Sequence, residues 1–416
     1  MRRAVASFTL AVTAALAIGS QSASARPFVV FKDDGTMVKT SQNPGPSVNE
    51  VMALYTASGQ PMPEVLSVWT AFPLLGNPYA TYFAPRGNDV TGINVPKKTS
   101  ATPPLTAVLL HNDVTQLVKR SNLQKASIDG FAGYLFLLEF SHQWGPNVLV
   151  PAPGPNDLTG FPYHWSFFLE TTSPAGGNHW IDNGDGSFTV APRAPKDVKF
   201  SPLDLYLMGI GTAAEVGPIE VLTETTVPPT PLDPLFGDPF AAQSFPWFDM
   251  TTPPITVQAT KRTVSIDDVI TANGVRTPDA VATRTWDVGF VLMVKADATD
   301  EQIAAASAVF EPIVSELPAT FAASTSDRGT LKIVTDDTLG QGGAGGGAST
   351  SSSTVASSGS SNGEGGFQNT PISRTDCTCS TPGSDDDTST LGALAGLLGL
   401  GMFASRFRRR SSAARL

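Results

Sequence analysis

Two residues that can take part in metal-assisted chemistry, Glu139 and His142, lie three positions apart in the stretch FLLEFSHQWG. On a helix this spacing places the carboxylate beside the imidazole. Helices that bind a catalytic zinc ion carry two histidines four positions apart, and the glutamate after the first takes a proton from metal-bound water. Leu138 occupies the position of that first histidine and cannot bind a metal. The motif alone leaves two interpretations open: an altered metal site, or a glutamate and a histidine paired in a core.

The chain has four histidines, and three of them are close together in the sequence. His142 is followed by His164 and His179, each of which directly precedes a tryptophan. His111 stands apart, at the end of a predicted strand. Zinc and related ions prefer nitrogen, sulfur and carboxylate ligands. Any imidazole ligand of a metal site in this chain must therefore come from these four histidines.

The motif lies in a proline-free segment, SIDGFAGYLFLLEFSHQW, which predicts one long and mostly buried helix. Asp129 is the predicted N-cap, because a short acidic side chain can accept hydrogen bonds from the first backbone N–H groups of a helix. Before this helix, strands are predicted in three segments rich in β-branched and aromatic residues: EVLSVWTAF, ATYFAPRGNDVTGINV and PPLTAVLLHNDV.

The part of the chain after the motif helix alternates between strand-like and helix-like segments. A hairpin is predicted with its turn at residues 183–186, and FSPLDLYLMGIG is a compact apolar segment in which Gly209 and Gly211 predict a helix stop. A buried strand is predicted in TWDVGFVLMVKAD, and a long amphipathic helix is predicted to start at Thr299. Together these elements predict an α+β fold with a mixed or antiparallel sheet, a buried motif helix and a long C-terminal helix.

Composition divides the 416 residues into four parts. Residues 1–25 have the basic start, apolar run and small-residue end of a signal peptide, which predicts export. Residues 26–335 form the ectodomain, and residues 336–376 form a Gly/Ser-rich linker that is predicted to stay flexible. Residues 377–416 form a separate C-terminal segment. The formal net charge of −10 argues against a nucleic-acid partner, because such partners select a basic surface.

The C-terminal segment contains both cysteines of the chain, Cys377 and Cys379. A short apolar stretch follows at residues 391–405, and an arginine cluster ends it. This order of parts resembles the myxobacterial C-terminal sorting segment of the MYXO-CTERM type. The resemblance implies recognition by export and sorting machinery, contact with a membrane through residues 391–405, and retention at the cell surface or outer membrane, or secretion after processing near a cysteine. Because the ectodomain contains no cysteine, it must be stabilised by its core alone.

The run EFSHQWG, YHWSFF, NHWIDNGDGSFT and FSPLDLYLMGIG resembles a family of large exported bacterial zincin-like peptidases. In that family a helix with His-Glu-x-x-His-x-Trp precedes a His-Trp-Ser segment and then an SPLDLYLMG segment. The resemblance covers roughly residues 60–335 and implies a zincin-like domain with a zinc cofactor. It implies Glu139 as general base, His142 and His164 as metal ligands, and Asp204 as a residue that orients a ligand histidine. Leu138 departs from the family pattern.

This departure leaves three outcomes open. In the first the metal is lost, and the protein is a pseudoenzyme in which Glu139 and His142 pair in the core. In the second a substitute ligand completes the site, with His179 as first candidate and Glu139 or His111 as others. In the third a divalent ion other than zinc is bound. The predicted function is that of a surface-retained metallopeptidase-like protein with a degenerate motif. The alternative is a non-enzymatic binding or structural protein that holds a peptide or protein ligand in the former peptide cleft.

Overall fold

The structure is a computed structural model. It describes residues 26–33, 38–39, 45–73, 81–117, 130–150, 158–160, 164–226 and 254–335. The predicted signal peptide, the linker and the C-terminal segment lie outside these residues, and so do Cys377, Cys379 and Asp129. In the described residues no helix is long and apolar enough to cross a membrane. Those residues form a mixed α+β fold, as the sequence predicts.

The described strands and helices follow in chain order. The strands are β1 (Val29–Asp33), β2 (Val38–Lys39), β3 (Gly45–Pro46), β4 (Val65–Thr70), β5 (Tyr82–Pro85), β6 (Ala107–Asp113), β7 (Trp165–Glu170), β8 (Gly176–Asp182), β9 (Ser187–Ala191), β10 (Ile219–Thr226), β11 (Thr256–Val264), β12 (Arg284–Lys295) and β13 (Gly329–Ile333). The helices are α1 (Val48–Ala57), α2 (Val114–Leu117), α3 (Phe131–Ser141), α4 (Pro202–Met208), α5 (Ile266–Asn273) and α6 (Asp300–Ser324). Short 3-10 turns occur at Pro195–Asp197 and Ala213–Glu215.

The larger sheet has six strands in the order β1-β12-β4-β6-β5, with β13 also beside β12. Every pairing in it is parallel except that of β5, which runs antiparallel to β6 at one edge. Parallel strands are covered on both faces and therefore carry continuous apolar runs. All six residues of β4 are buried, and alternate residues face two separate clusters. Trp69 packs on the face that carries α3, and Val68 packs on the other face with α1.

The motif helix α3 packs on this sheet beside α6. It begins at Phe131 after Gly130, whose positive φ of 79° glycine adopts without strain. A helix that is apolar on all sides must be buried, and α3 packs on Phe290 of β12 through Phe136, with ring centroids 6.0 Å apart. One turn later Phe140 meets Phe321 of α6, with ring centroids 4.9 Å apart. The predicted buried helix is thus present, and it contacts both the sheet and α6.

Helix α6 has 25 residues and begins where the sequence predicts a helix start. The Thr299 side chain accepts a hydrogen bond from the Gln302 backbone N–H, and the Gln302 side chain accepts one from the Thr299 N–H. This reciprocal cap satisfies two backbone donors that would otherwise lack partners. Through Phe310 and Phe321 the helix covers the same sheet face as α3.

Strand-like segments from the part of the chain after the motif helix form a closed barrel. Its five strands follow the order β10-β11-β9-β8-β7. The predicted hairpin is confirmed: β8 and β9 pair antiparallel, and residues 183–186 form the turn. Phe167, Trp180 and Phe188 fill a separate apolar cluster in the barrel, whereas Trp165 and Leu169 join the main core. Closure removes free strand edges, and no local sequence signal reports it.

Candidate functional site

Glu139 lies in the last turns of α3 and has an exposed fraction of only 1%. Burial raises the pKa of its carboxyl group to about 8, because the charged form loses its solvation. The Thr81 hydroxyl, just before β5, donates a short hydrogen bond to Glu139 Oε1, which opposes that increase in part. At neutral pH the carboxyl group is therefore mainly protonated. Nothing in the sequence around Thr81 marks it as a partner of a residue 58 positions away.

His142 follows one turn after Glu139 and directs its ring to the same place. Its Nε2 atom is 4.0 Å from Glu139 Oε2, and its side chain has an exposed fraction of 4%. The ring of His164, which is completely buried, meets the His142 ring edge-on with centroids 4.9 Å apart. Phe83 of β5 closes another side, with its ring centroid 6.0 Å from that of His142. Glu139, His142 and His164 thus form one buried cluster, which we call the EHH cluster.

His179 is not part of the EHH cluster. It lies on β8 of the barrel with a side-chain exposed fraction of 57%, and its Nδ1 is 2.8 Å from Glu170 Oε1. Residues alternate between the two faces of a strand. Because Trp180 faces the barrel core, His179 faces water. The structure therefore does not bring this substitute ligand to the motif helix.

Asp204 contacts a tryptophan rather than a histidine. Its Oδ1 accepts a hydrogen bond from Trp165 Nε1 at 2.8 Å, and its Oδ2 accepts bonds from the backbone N–H and hydroxyl of Ser201. Asp204 therefore caps α4 and fixes Trp165, the residue directly after His164. Burial raises the pKa of the Asp204 carboxyl group, and these hydrogen bonds oppose the increase. The expected direct support of a ligand histidine is replaced by support of its neighbour in the chain.

His111 is a core residue of β6. Its ring stacks on Trp69 with centroids 4.0 Å apart, and Phe136 lies on its other side at 6.4 Å. Burial lowers the pKa of the imidazole to about 3, so it stays neutral. Neither ring nitrogen is hydrogen-bonded to a described residue. This geometry fits an aromatic packing role and places His111 outside the EHH cluster.

The residues present do not match the ligand set of a catalytic zinc ion. Such an ion takes three protein ligands and keeps one open position. Leu138 has an exposed fraction of 1% and packs in the main core. The EHH cluster then offers two imidazoles, and Glu139 would no longer be a free base if it bound the metal. Within the described parts of the chain, no group of three or more His, Cys, Asp or Glu side chains is arranged to hold a metal ion.

No protein-family model, curated protein or solved structure matches this chain.

Proposed function

We propose that this protein is an exported, surface-retained protein with a zincin-like, metallopeptidase-like domain that binds peptide or protein ligands without hydrolysing them. The observation that carries the proposal is Leu138. It occupies the position that holds the first metal ligand in the zincin motif and packs into the core, whereas Glu139, His142 and His164 lie together. This set of side chains argues against a metal peptidase, since both Lewis-acid catalysis and water activation need a fully held ion.

The state of Glu139 supports the same proposal. A general base must be ionised at the working pH and within reach of the proton that it removes. Burial raises the Glu139 pKa to about 8, and its Oε1 already accepts a hydrogen bond from Thr81. In this environment the side chain serves as a buried hydrogen-bonding group that joins α3 to the start of β5.

The ligand class follows from the position of β5. This strand lies at the edge of the sheet and, among the described residues, pairs only with β6. Thr81, just before this strand, contacts Glu139, and Phe83 within the strand contacts His142. The edge strand therefore lies beside the EHH cluster. Extended peptides bind to such edges by adding a strand. We therefore assign an extended peptide segment as the ligand, with export and C-terminal sorting machinery as further partners.

The proposed location of the protein at the cell surface follows from the sequences of its two terminal segments. The signal-like residues 1–25 support export, and the cysteines and residues 391–405 with their arginine cluster support sorting and retention at the cell surface. Zinc is not required for the proposed binding function. A purely structural role would lack the peptide ligand but share this location.

The test is the metal content of the exported full-length chain, purified without chelator, for the wild type and Leu138→His. We expect far less than one zinc ion per chain and no peptide cleavage in the wild type. In Leu138→His the new imidazole lies one turn before His142, so we expect zinc content to rise towards about one ion per chain.

The double variant Leu138→His/His142→Ala is the matched control and should lose the added zinc. About one zinc ion per wild-type chain, lost in His142→Ala, would overturn the proposal in favour of an active metal site.

A further inference from the structure

A cavity of about 740 Å³ opens at the carboxyl ends of β4 and β12. It shares no residue with the EHH cluster or with β5. Its apolar floor includes Phe72, Val294 and Val309, of which the first two are buried. Ligand pockets in proteins commonly enclose about 300–1,000 Å³ and combine an apolar lining with a few polar groups. The size and lining of this cavity therefore suit a small molecule.

The position of the cavity in the sheet points to a ligand as well. β4 and β12 are parallel neighbours, but the chain leaves them in opposite directions. After β4 it continues to β5 and β6 on one side, and after β12 it forms α6 and returns as β13 on the other side. Such a reversal opens a crevice outside the carboxyl ends of the two strands, and open α/β sheets bind ligands there.

Two charges of opposite sign define the polar rim. Lys295 and Asp297 both line the cavity and are exposed. Neither forms an ion pair with another described residue, including the other one of the two. The start of α6 is not counted as an anion site, because the acidic Asp300 and Glu301 already occupy its first turn. The rim thus complements a ligand that carries one positive and one negative group.

We propose that this cavity binds a free α-amino acid with a large apolar side chain. The ligand carboxylate faces Lys295, its ammonium group faces Asp297, and its side chain rests on Phe72, Val294 and Val309. A simple carboxylate or a simple amine would satisfy only one of the two rim charges. The zwitterion satisfies both.

The experiment is isothermal titration of the full-length chain with L-phenylalanine. We expect saturable binding with a Kd below about 1 mM. Ala305→Trp should abolish it, because Ala305 lines the cavity and is exposed on α6, so the larger side chain fills the space without displacing the core. Ala304→Trp is the matched control: Ala304 is exposed on the same helix and does not line the cavity, so binding should persist.

The rim charges are tested separately. Lys295→Gln and Asp297→Asn should each weaken L-phenylalanine binding by about fivefold, which corresponds to the loss of one partly exposed charge contact of about 1 kcal/mol. Octanoate and octylamine serve as probes with one charge each and should bind more weakly than L-phenylalanine. The proposal is overturned by absence of binding, by equal binding in Ala305→Trp, or by octanoate or octylamine binding as tightly.

Discussion

The chain contains two histidine–glutamate pairs in opposite environments. Glu139 and His142 in α3 are 4.0 Å apart and have exposed fractions of 1% and 4%. Glu170 and His179 in the barrel are closer, at 2.8 Å, but have exposed fractions of 32% and 57%. Exposed pairs contribute about 0–1 kcal/mol, whereas truncating a buried side chain leaves a cavity and can cost several kcal/mol. A ranking of the two pairs by distance alone therefore gives the wrong order for their importance to stability.

The histidines that are close together in the sequence lie in different environments in the fold. His164 and His179 both precede a tryptophan, yet only His164 lies beside His142. His164 directly precedes β7, whereas His179 lies on the outer face of β8, and their tryptophans are held differently. Trp165 is fixed by Asp204 in the main core, whereas Trp180 fills the barrel. Similar local sequence thus produces one buried and one exposed imidazole.

The largest expected effect is on pH dependence, tested with Glu139→Gln. The Glu139 pKa is about 8 in the folded chain, against an ordinary value of 4.5. The folded state therefore holds a proton that the unfolded state releases between these values. The associated stability is fully present below about pH 4.5 and is lost as pH rises through about 8. Relative to the variant, the wild-type free energy of unfolding should fall by up to about 1.4 kcal/mol per pH unit in this window.

Denaturant unfolding at several pH values between about 5 and 8 measures this slope. Glu170→Gln is the control, because it removes the carboxylate of the exposed pair in the same way. Parallel pH profiles for the wild type and Glu139→Gln would show that the buried carboxyl group carries no such proton.

The next largest effect is the loss of stability expected when each of the two histidines is truncated to alanine. His142→Ala should lower the free energy of unfolding by about 3 kcal/mol, because it leaves a cavity beside His164 and Phe83 and removes the neighbour of Glu139. His179→Ala should change it by less than about 0.5 kcal/mol, as is usual for exposed positions. Denaturant midpoints of both variants measure the contrast. Equal losses would mean that burial does not distinguish the pairs.

The smallest effect is the difference in stability loss expected between substitutions of Trp165 and Trp180. Trp165→Phe removes the donor to buried Asp204 and should cost about 1–2 kcal/mol more than the change in side-chain volume alone. Trp180→Phe provides that volume control, because Trp180 Nε1 has no hydrogen-bond partner among the described residues. The difference between the two losses isolates the hydrogen bond to Asp204. If Trp180→Phe costs as much as Trp165→Phe, that bond does not stabilise the site.

Elements with local signals were predictable from the sequence. The buried helix α3, the hairpin turn at residues 183–186 and the end of α4 at Gly209 all follow from residue types within a few positions. Gly209 has a φ of 80°, which explains why glycine ends that helix. The closed barrel, the parallel pairing of β4 with β12 and the contact of Thr81 with Glu139 were not predictable. Each joins residues that are distant in sequence.

By itself, the sequence determined that residue 138 is a leucine, which cannot bind a metal, and that Glu139 and His142 share one helical face, because both follow from residue identity and helix periodicity. Only the tertiary structure decided that His164 joins them and that His179 does not. It also decided that Asp204 holds Trp165, and that a cavity opens at the carboxyl ends of β4 and β12. The physical reason is that strand pairing and burial decide which side chains meet. Both depend on contacts between segments that are distant in sequence, and the local sequence of one segment does not identify its partner.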